Sequence, residues 1–102
     1  ISGLTQLTWL SLAGNEISDV NALSGLTNLT YLGLGENRIS NLMPLVKMAE
    51  LTELYLYNNR IVDSAPLMGL TNLKELNLKS NLIPLAQKGT LEEALPNCYT
   101  IF

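Results

Sequence analysis

Residues 26–40 read LTNLTYLGLGENRIS, and a stretch of the same design occurs four times in the chain. In steps of 22 residues, the copies carry asparagine at Asn15, Asn37, Asn59 and Asn81. Leucines before each asparagine and an isoleucine two residues after it keep the same phase. Met48 is the one substitution in the leucine columns before the asparagines, and methionine is tolerated in a core. A fixed period with this many matched positions predicts a solenoid of stacked coils.

Each copy contains a short segment in which leucine alternates with a variable residue, as in Leu32-Gly33-Leu34 and Leu54-Tyr55-Leu56. This period of two is typical of a strand with one buried face. One such strand per repeat predicts four strands that pair side by side in parallel. The asparagine after each strand is predicted to be buried, because its amide can donate to and accept from backbone groups of its own and neighbouring coils. We interpret all four asparagines as structural.

The limb that returns from each strand to the next is predicted to be 3₁₀ or irregular. Pro44 and Pro66 supply a fixed φ at the start of a short helical segment, and short polar residues before them are suited to capping it. The fourth copy departs from the pattern, with a loop predicted over residues 86–89. A capping box starting at Thr90 then predicts a short helix over about residues 91–95, and residues 99–102 are predicted to form a terminal strand.

The whole chain, residues 1–102, is therefore expected to be one domain and part of a longer solenoid. Its predicted parts are the repeats over about 4–25, 26–47, 48–69 and 70–89, followed by a C-terminal helix–strand cap over 90–102. Residues 1–3 occupy the place that residues 23–25 hold one period later. No N-terminal cap precedes the first leucines, so self-association through that end is a further expectation.

Composition excludes several classes of function. A net charge of −3 with six scattered basic residues argues against a nucleic-acid partner. No apolar run reaches the roughly 18 residues that a membrane-spanning helix needs, so membrane insertion is not expected. The chain has no histidine, and its single cysteine, Cys98, can form no internal disulfide. Without a metal-ligand cluster or a phosphate-binding loop, we expect neither an enzyme nor a cofactor.

The pattern from Leu26 to Ser40 resembles the 22-residue class of leucine-rich repeats. The closest resemblance is to bacterial internalin-type surface proteins, and the class also includes a eukaryotic regulatory subunit of type-1 protein phosphatase. This resemblance implies an α/β repeat fold: a right-handed solenoid with a parallel sheet on its concave side. It also implies a protein-binding role for the concave strands. No ligand-binding residue can be transferred, because the positions that contact partners are the variable ones.

Alternation along the strands places the variable residues on the concave face, which we define as the side of the sheet opposite the leucines. Four of the chain's six aromatic residues fall there, although exposed positions are usually poor in aromatics. Glycines at 33 and 35 are expected to leave bare backbone beside the rings, so that a partner side chain could lie flat between them. The predicted ligand-binding residues are Trp9, Tyr31, Glu53, Tyr55, Tyr57, Glu75, Asn77 and Lys79.

Several alternatives stay open at this level. The rings could instead pack across strands as a ladder that stabilises the sheet. The chain could be an adhesin-like module of a bacterial secreted or surface protein that recognises a protein or glycan, an intracellular scaffold or regulatory module, or a spacer. Four strands offer a projected face of order 300 Å², whereas a standard interface needs about 800 Å² per partner. Weak binding by this chain alone is therefore expected.

Overall fold

The computed structural model describes residues 4–102, and the predictions for residues 1–3 lie outside that part. Five short strands form one parallel sheet in chain order. Three 3₁₀ helices and one α-helix lie on the returning limbs. The strands are β1 (Trp9–Ser11), β2 (Tyr31–Gly33), β3 (Glu53–Tyr55), β4 (Glu75–Asn77) and β5 (Tyr99–Ile101); the 3₁₀ helices are Asn21–Leu23, Met43–Leu45 and Ala65–Leu67, and the α-helix α1 is Leu85–Ala94.

The register of the sheet follows the repeat. Each residue of β1, β2 and β3 pairs with the residue 22 positions later, so Leu10 lies beside Leu32 and Leu32 beside Leu54. These leucines face the core, where Leu32, Leu54 and the other leucines of the middle coils are fully buried. Met48 is also fully buried, in the place of a leucine. The predicted leucine-rich-repeat solenoid is confirmed.

The asparagines tie successive coils together, as Asn59 illustrates. Its side-chain nitrogen donates to the carbonyl oxygens of Leu56 (3.1 Å) and Tyr57 (3.2 Å) in its own coil and of Leu34 (2.9 Å) in the preceding one. Its side-chain oxygen accepts the backbone N–H of Ile39, also in the preceding coil, at 2.9 Å. The pattern recurs at Asn37 and Asn81.

Asn15 departs from the prediction that all four asparagines are buried. It is exposed, and its amide donates within its own coil, to the carbonyls of Leu12 (2.8 Å) and Ala13 (3.4 Å). In the described residues no preceding coil lies against it. An asparagine of this ladder is thus buried by the coil before it rather than by its own.

The returning limbs confirm the predicted 3₁₀ conformation. Pro44 and Pro66 stand in the first turn of the second and third 3₁₀ helices. Before each helix a short polar side chain accepts the backbone N–H two residues ahead: Asp19 from Asn21, Asn41 from Met43 and Asp63 from Ala65. These bonds satisfy N–H groups that a short helix leaves unpaired.

The C-terminal helix is longer than the sequence predicted. It begins directly after Pro84 and runs through the residues assigned to a loop, with Gly89 in its interior. The predicted capping box is wrong, because the Thr90 hydroxyl donates to the Ala86 carbonyl one turn back (3.1 Å). A contact between coils holds the first turn: the Gln87 side-chain oxygen accepts from the backbone N–H (3.0 Å) and hydroxyl (3.2 Å) of buried Ser64. No helix in the described residues is long and apolar enough to cross a membrane.

Candidate binding face

Four of the predicted binding residues stand in one column across the concave face. Trp9 on β1, Tyr31 on β2, Glu53 on β3 and Glu75 on β4 are register partners in succession. Tyr55 and Asn77 form a second column two residues further along the strands. Strand pairing brings these side chains together from positions 22 residues apart, because all of them point away from the leucine core.

The aromatic residues at the β1 side of this face form a continuous stack. The rings of Trp9 and Tyr31 lie 4.7 Å apart between centroids and are nearly parallel, with 10° between their planes. Tyr31 meets Tyr55 at 5.4 Å and 46°. Since adjacent rings already touch, a partner side chain would lie upon the stack, and the expectation that it inserts between rings is not met. Trp9 remains 59% exposed, so the stack presents an open ring to solvent.

The two glycines beside the rings are covered, contrary to the prediction of bare backbone. Gly33 and Gly35 are both buried. The ring of Tyr57 lies over Gly35 so closely that a Cβ at position 35 would overlap it. A Cβ at position 33 would lie 3.4 Å from the Tyr31 ring. The glycines therefore provide room for the tyrosine rings to lie flat against the sheet.

A tyrosine hydroxyl sits between the two carboxylates of the first column. The Tyr55 hydroxyl lies 3.2 Å from a Glu53 oxygen and within hydrogen-bond reach of a Glu75 oxygen as well. The hydrogen bond to Glu75 is the largest cause of a raised Tyr55 pKa, followed by burial and by the charges of both glutamates. The phenol therefore keeps its proton well beyond the usual pKa of about 10.

The remaining predicted residues line a shallow cleft at the far end of the strands. Its volume is about 370 Å³, and its lining comprises Tyr57, Asn58, Asn77, Lys79 and Ser80. The Asn77 side-chain oxygen accepts the backbone N–H of Lys79 at 3.0 Å, which leaves the lysine side chain exposed at the rim. The predicted residues thus divide into an aromatic stack, a carboxylate pair and this cleft.

Tyr99 belongs to the face and was missed in the sequence. It pairs with Glu75 in the register of β4 and β5 and is 67% exposed. It therefore extends the first column, which reads Trp, Tyr, Glu, Glu, Tyr. The signal was available: a terminal strand over these residues was predicted, but its step from β4 is 24 residues, and the alignment by 22 does not reach it.

The face carries no metal or cofactor chemistry that the described residues reveal. Residues 4–102 contain no group of three or more acidic, cysteine or histidine side chains able to hold a metal ion. Cys98 precedes β5 and packs partly buried against the core, where desolvation raises the pKa of its thiol. Its environment gives it no activating base.

Comparisons with solved structures reproduce this architecture in bacterial proteins. Internalin C2 of Listeria monocytogenes is 38% identical, with a TM-score of 0.91 over 99% of this chain and 43% of its own. Internalin F of the same organism is 34% identical, with a TM-score of 0.85 over 97% of this chain and 28% of its own. A leucine-rich-repeat protein of Leptospira interrogans is 30% identical, with a TM-score of 0.87 over 100% of this chain and 28% of its own. This chain spans less than half the length of each.

Sequence comparisons add the family. A search among curated proteins gave no match. The family described as leucine rich repeats (2 copies) matches residues 5–46 and 49–93, which together make up most of the chain. With the 22-residue register, the asparagine ladder and the parallel sheet, this match establishes that the chain belongs to the leucine-rich-repeat family.

Proposed function

We propose that this chain is a protein-binding module whose partner docks on the concave face, and that it comes from a bacterial secreted or cell-surface protein. The observation that carries the proposal is the ring stack of Trp9, Tyr31 and Tyr55 beside the Glu53–Glu75 pair. Leucine-rich repeats are interaction scaffolds, and the similarity to Listeria internalins supports the bacterial origin.

The stack has the properties of an interface anchor. Aromatic rings dominate binding energy because each removes a large apolar area from water with few rotatable bonds. Here the Trp9–Tyr31 contact fixes both rings before any partner arrives, which reduces the entropy lost on binding. The same contacts also stabilise the sheet, so the ladder and the anchor are two roles of one arrangement.

The other predicted roles keep the status of predictions. An intracellular scaffold would use the same face, and a spacer would need no partner at all. The polar cleft beside Tyr57 is the place where a glycan would be sought. Self-association through the first coil has no supporting contact in the described residues.

Selection of binders from a library of random short peptides, displayed in many copies, tests the proposal. The isolated chain would be immobilised, and each enriched peptide measured against the parent chain, Trp9→Ala and Val62→Ala. Val62 is the matched control, because it is an exposed apolar residue that lies outside the strands. We expect Trp9→Ala to weaken binding about tenfold or more and Val62→Ala to leave it unchanged.

Two results would overturn the proposal. One is a library that yields no specific binder even in multivalent format. The other is a set of binders that tolerate Trp9→Ala and lose affinity on Val62→Ala, which would place the docking surface elsewhere on the solenoid.

A further inference from the structure

The centre of the concave face carries two carboxylates that lack a cationic partner. Glu53 and Glu75 are directly opposite each other on β3 and β4, an arrangement of like charges that destabilises a sheet. Residues 4–102 contain one ion pair, between Arg38 and Glu16, and no lysine or arginine nitrogen lies within 4.0 Å of either concave carboxylate. The repulsion is thus uncompensated within the described chain.

The hydrogen-bond count around Tyr55 is also short of a proton. A phenol has one hydrogen to donate, and a carboxylate has only acceptor oxygens. Tyr55 nevertheless approaches both carboxylates at hydrogen-bond distance. When its proton points to Glu75, its oxygen lone pairs face the Glu53 oxygen, and neither glutamate can supply the missing donor. Additional N–H donors placed above the pair would satisfy it.

Rings flank the carboxylates on both sides in the same column. Tyr31 lies beside Glu53, and Tyr99 lies beside Glu75. A cation that meets the carboxylates would therefore also meet the π-faces or edges of these tyrosines, where cations are attracted within about 6 Å of a ring centroid. Lys74 and Lys79 are exposed and lie in other columns of the face.

We propose that the concave face binds an arginine side chain of its protein partner, seated over Glu53 and Glu75 between Tyr31 and Tyr99. The inference rests on the proposed function and specifies its partner chemistry. Arginine fits better than lysine because its planar guanidinium carries five N–H donors and stacks on aromatic rings. It supplies both the positive charge and the donors that this part of the face lacks.

An NMR titration with small probes tests this without a known partner. The probes are N-acetyl-argininamide and its neutral isostere N-acetyl-citrullinamide, with N-acetyl-lysinamide as a third arm. We expect the arginine probe to shift the ring signals of Tyr31, Tyr55 and Tyr99 and the carboxyl carbons of both glutamates. Half-saturation should come at a concentration about fivefold or more below that of citrulline, and this preference should shrink at high salt.

Variants tie the response to the carboxylates. The double variant Glu53→Gln/Glu75→Gln should lose the preference for arginine over citrulline, whereas the control Glu92→Gln/Glu93→Gln, on exposed residues of α1, should keep it. Unchanged Trp9 and Tyr31 ring signals in the free variants would show that the fold is retained. The lysine probe should bind less tightly than the arginine probe.

The inference is wrong if arginine and citrulline bind alike, if the glutamine pair retains the preference, or if lysine binds better than arginine. Its failure is separable from failure of the proposed function. Peptides that still depend on Trp9 would leave concave-face binding intact while removing the arginine site.

Discussion

Asn59→Ala tests the ladder that holds successive coils in step. The substitution removes the acceptor of the buried Ile39 N–H, which lies in the preceding coil. A buried N–H without a partner costs about 1–3 kcal/mol. The carbonyls that Asn59 bonds keep a second donor: Asn37 for Leu34, Asn81 for Leu56 and Glu36 for Tyr57. They lose only the net value of one bond each, about 0.5–1.5 kcal/mol.

The total expected loss is about 3 kcal/mol of unfolding free energy, a large part of the 5–15 kcal/mol typical of a domain. For a chain of this length it corresponds to a fall in Tm of roughly 12–20 °C. Asn15→Ala is the matched control, because Asn15 is exposed and bonds only carbonyls of its own coil. Its loss should stay below about 1 kcal/mol, since water replaces those bonds.

Urea unfolding of both variants, followed by circular dichroism, measures the difference. Hydrogen exchange adds a local readout, because the Ile39 amide should lose protection in Asn59→Ala. Equal losses in the two variants, or an Ile39 amide that stays protected, would refute the assignment of the asparagine as a link between coils.

Three other substitutions test the concave face. Glu75→Gln should raise the free energy of unfolding by about 0.5–1 kcal/mol, because it removes a like charge opposite Glu53 and offers the Tyr55 oxygen an N–H; a loss in urea unfolding would contradict the donor shortage. The raised Tyr55 pKa favours the neutral phenol in the folded chain, so its stabilisation is complete below about pH 10 and falls as pH rises further. Alkaline ultraviolet titration should show a last-ionising tyrosine that Tyr55→Phe lacks, and simultaneous ionisation of all tyrosines would count against the contact. Gly35→Ala should cost about 1–3 kcal/mol in thermal unfolding by displacing the Tyr57 ring, whereas Gly69→Ala, with no atom within 4 Å of the added Cβ, should change little; similar losses in both would contradict the close approach of that ring.

The sequence predicted what depends on periodicity. Leucines at a fixed phase can be buried together only if the coils stack in register, so the sheet, its direction and the core follow from their spacing. Pro44 and Pro66 marked two of the short helices for the same local reason, a fixed φ. The contents of the concave face were also predictable, since alternation decides which residues point outward.

The misses depend on contacts between coils. The start of α1 is fixed by Gln87 meeting Ser64, and nothing in the local sequence announces that bond. The burial of Gly35 depends on which way the Tyr57 ring lies, and the proton shortage around Tyr55 depends on where three side chains converge. Spacing places such residues on one face but does not orient their side chains.

The 22-residue register also governs how such a surface can change. Excising residues 48–69 as a unit would preserve the phase of every leucine and set Glu75 beside Tyr31, producing a different order of rings and charges on an unaltered core. Excising one residue fewer would turn the following strand over and send its leucines into water. Duplication and loss of whole coils can therefore rewrite what the protein recognises while its folding instructions stay the same.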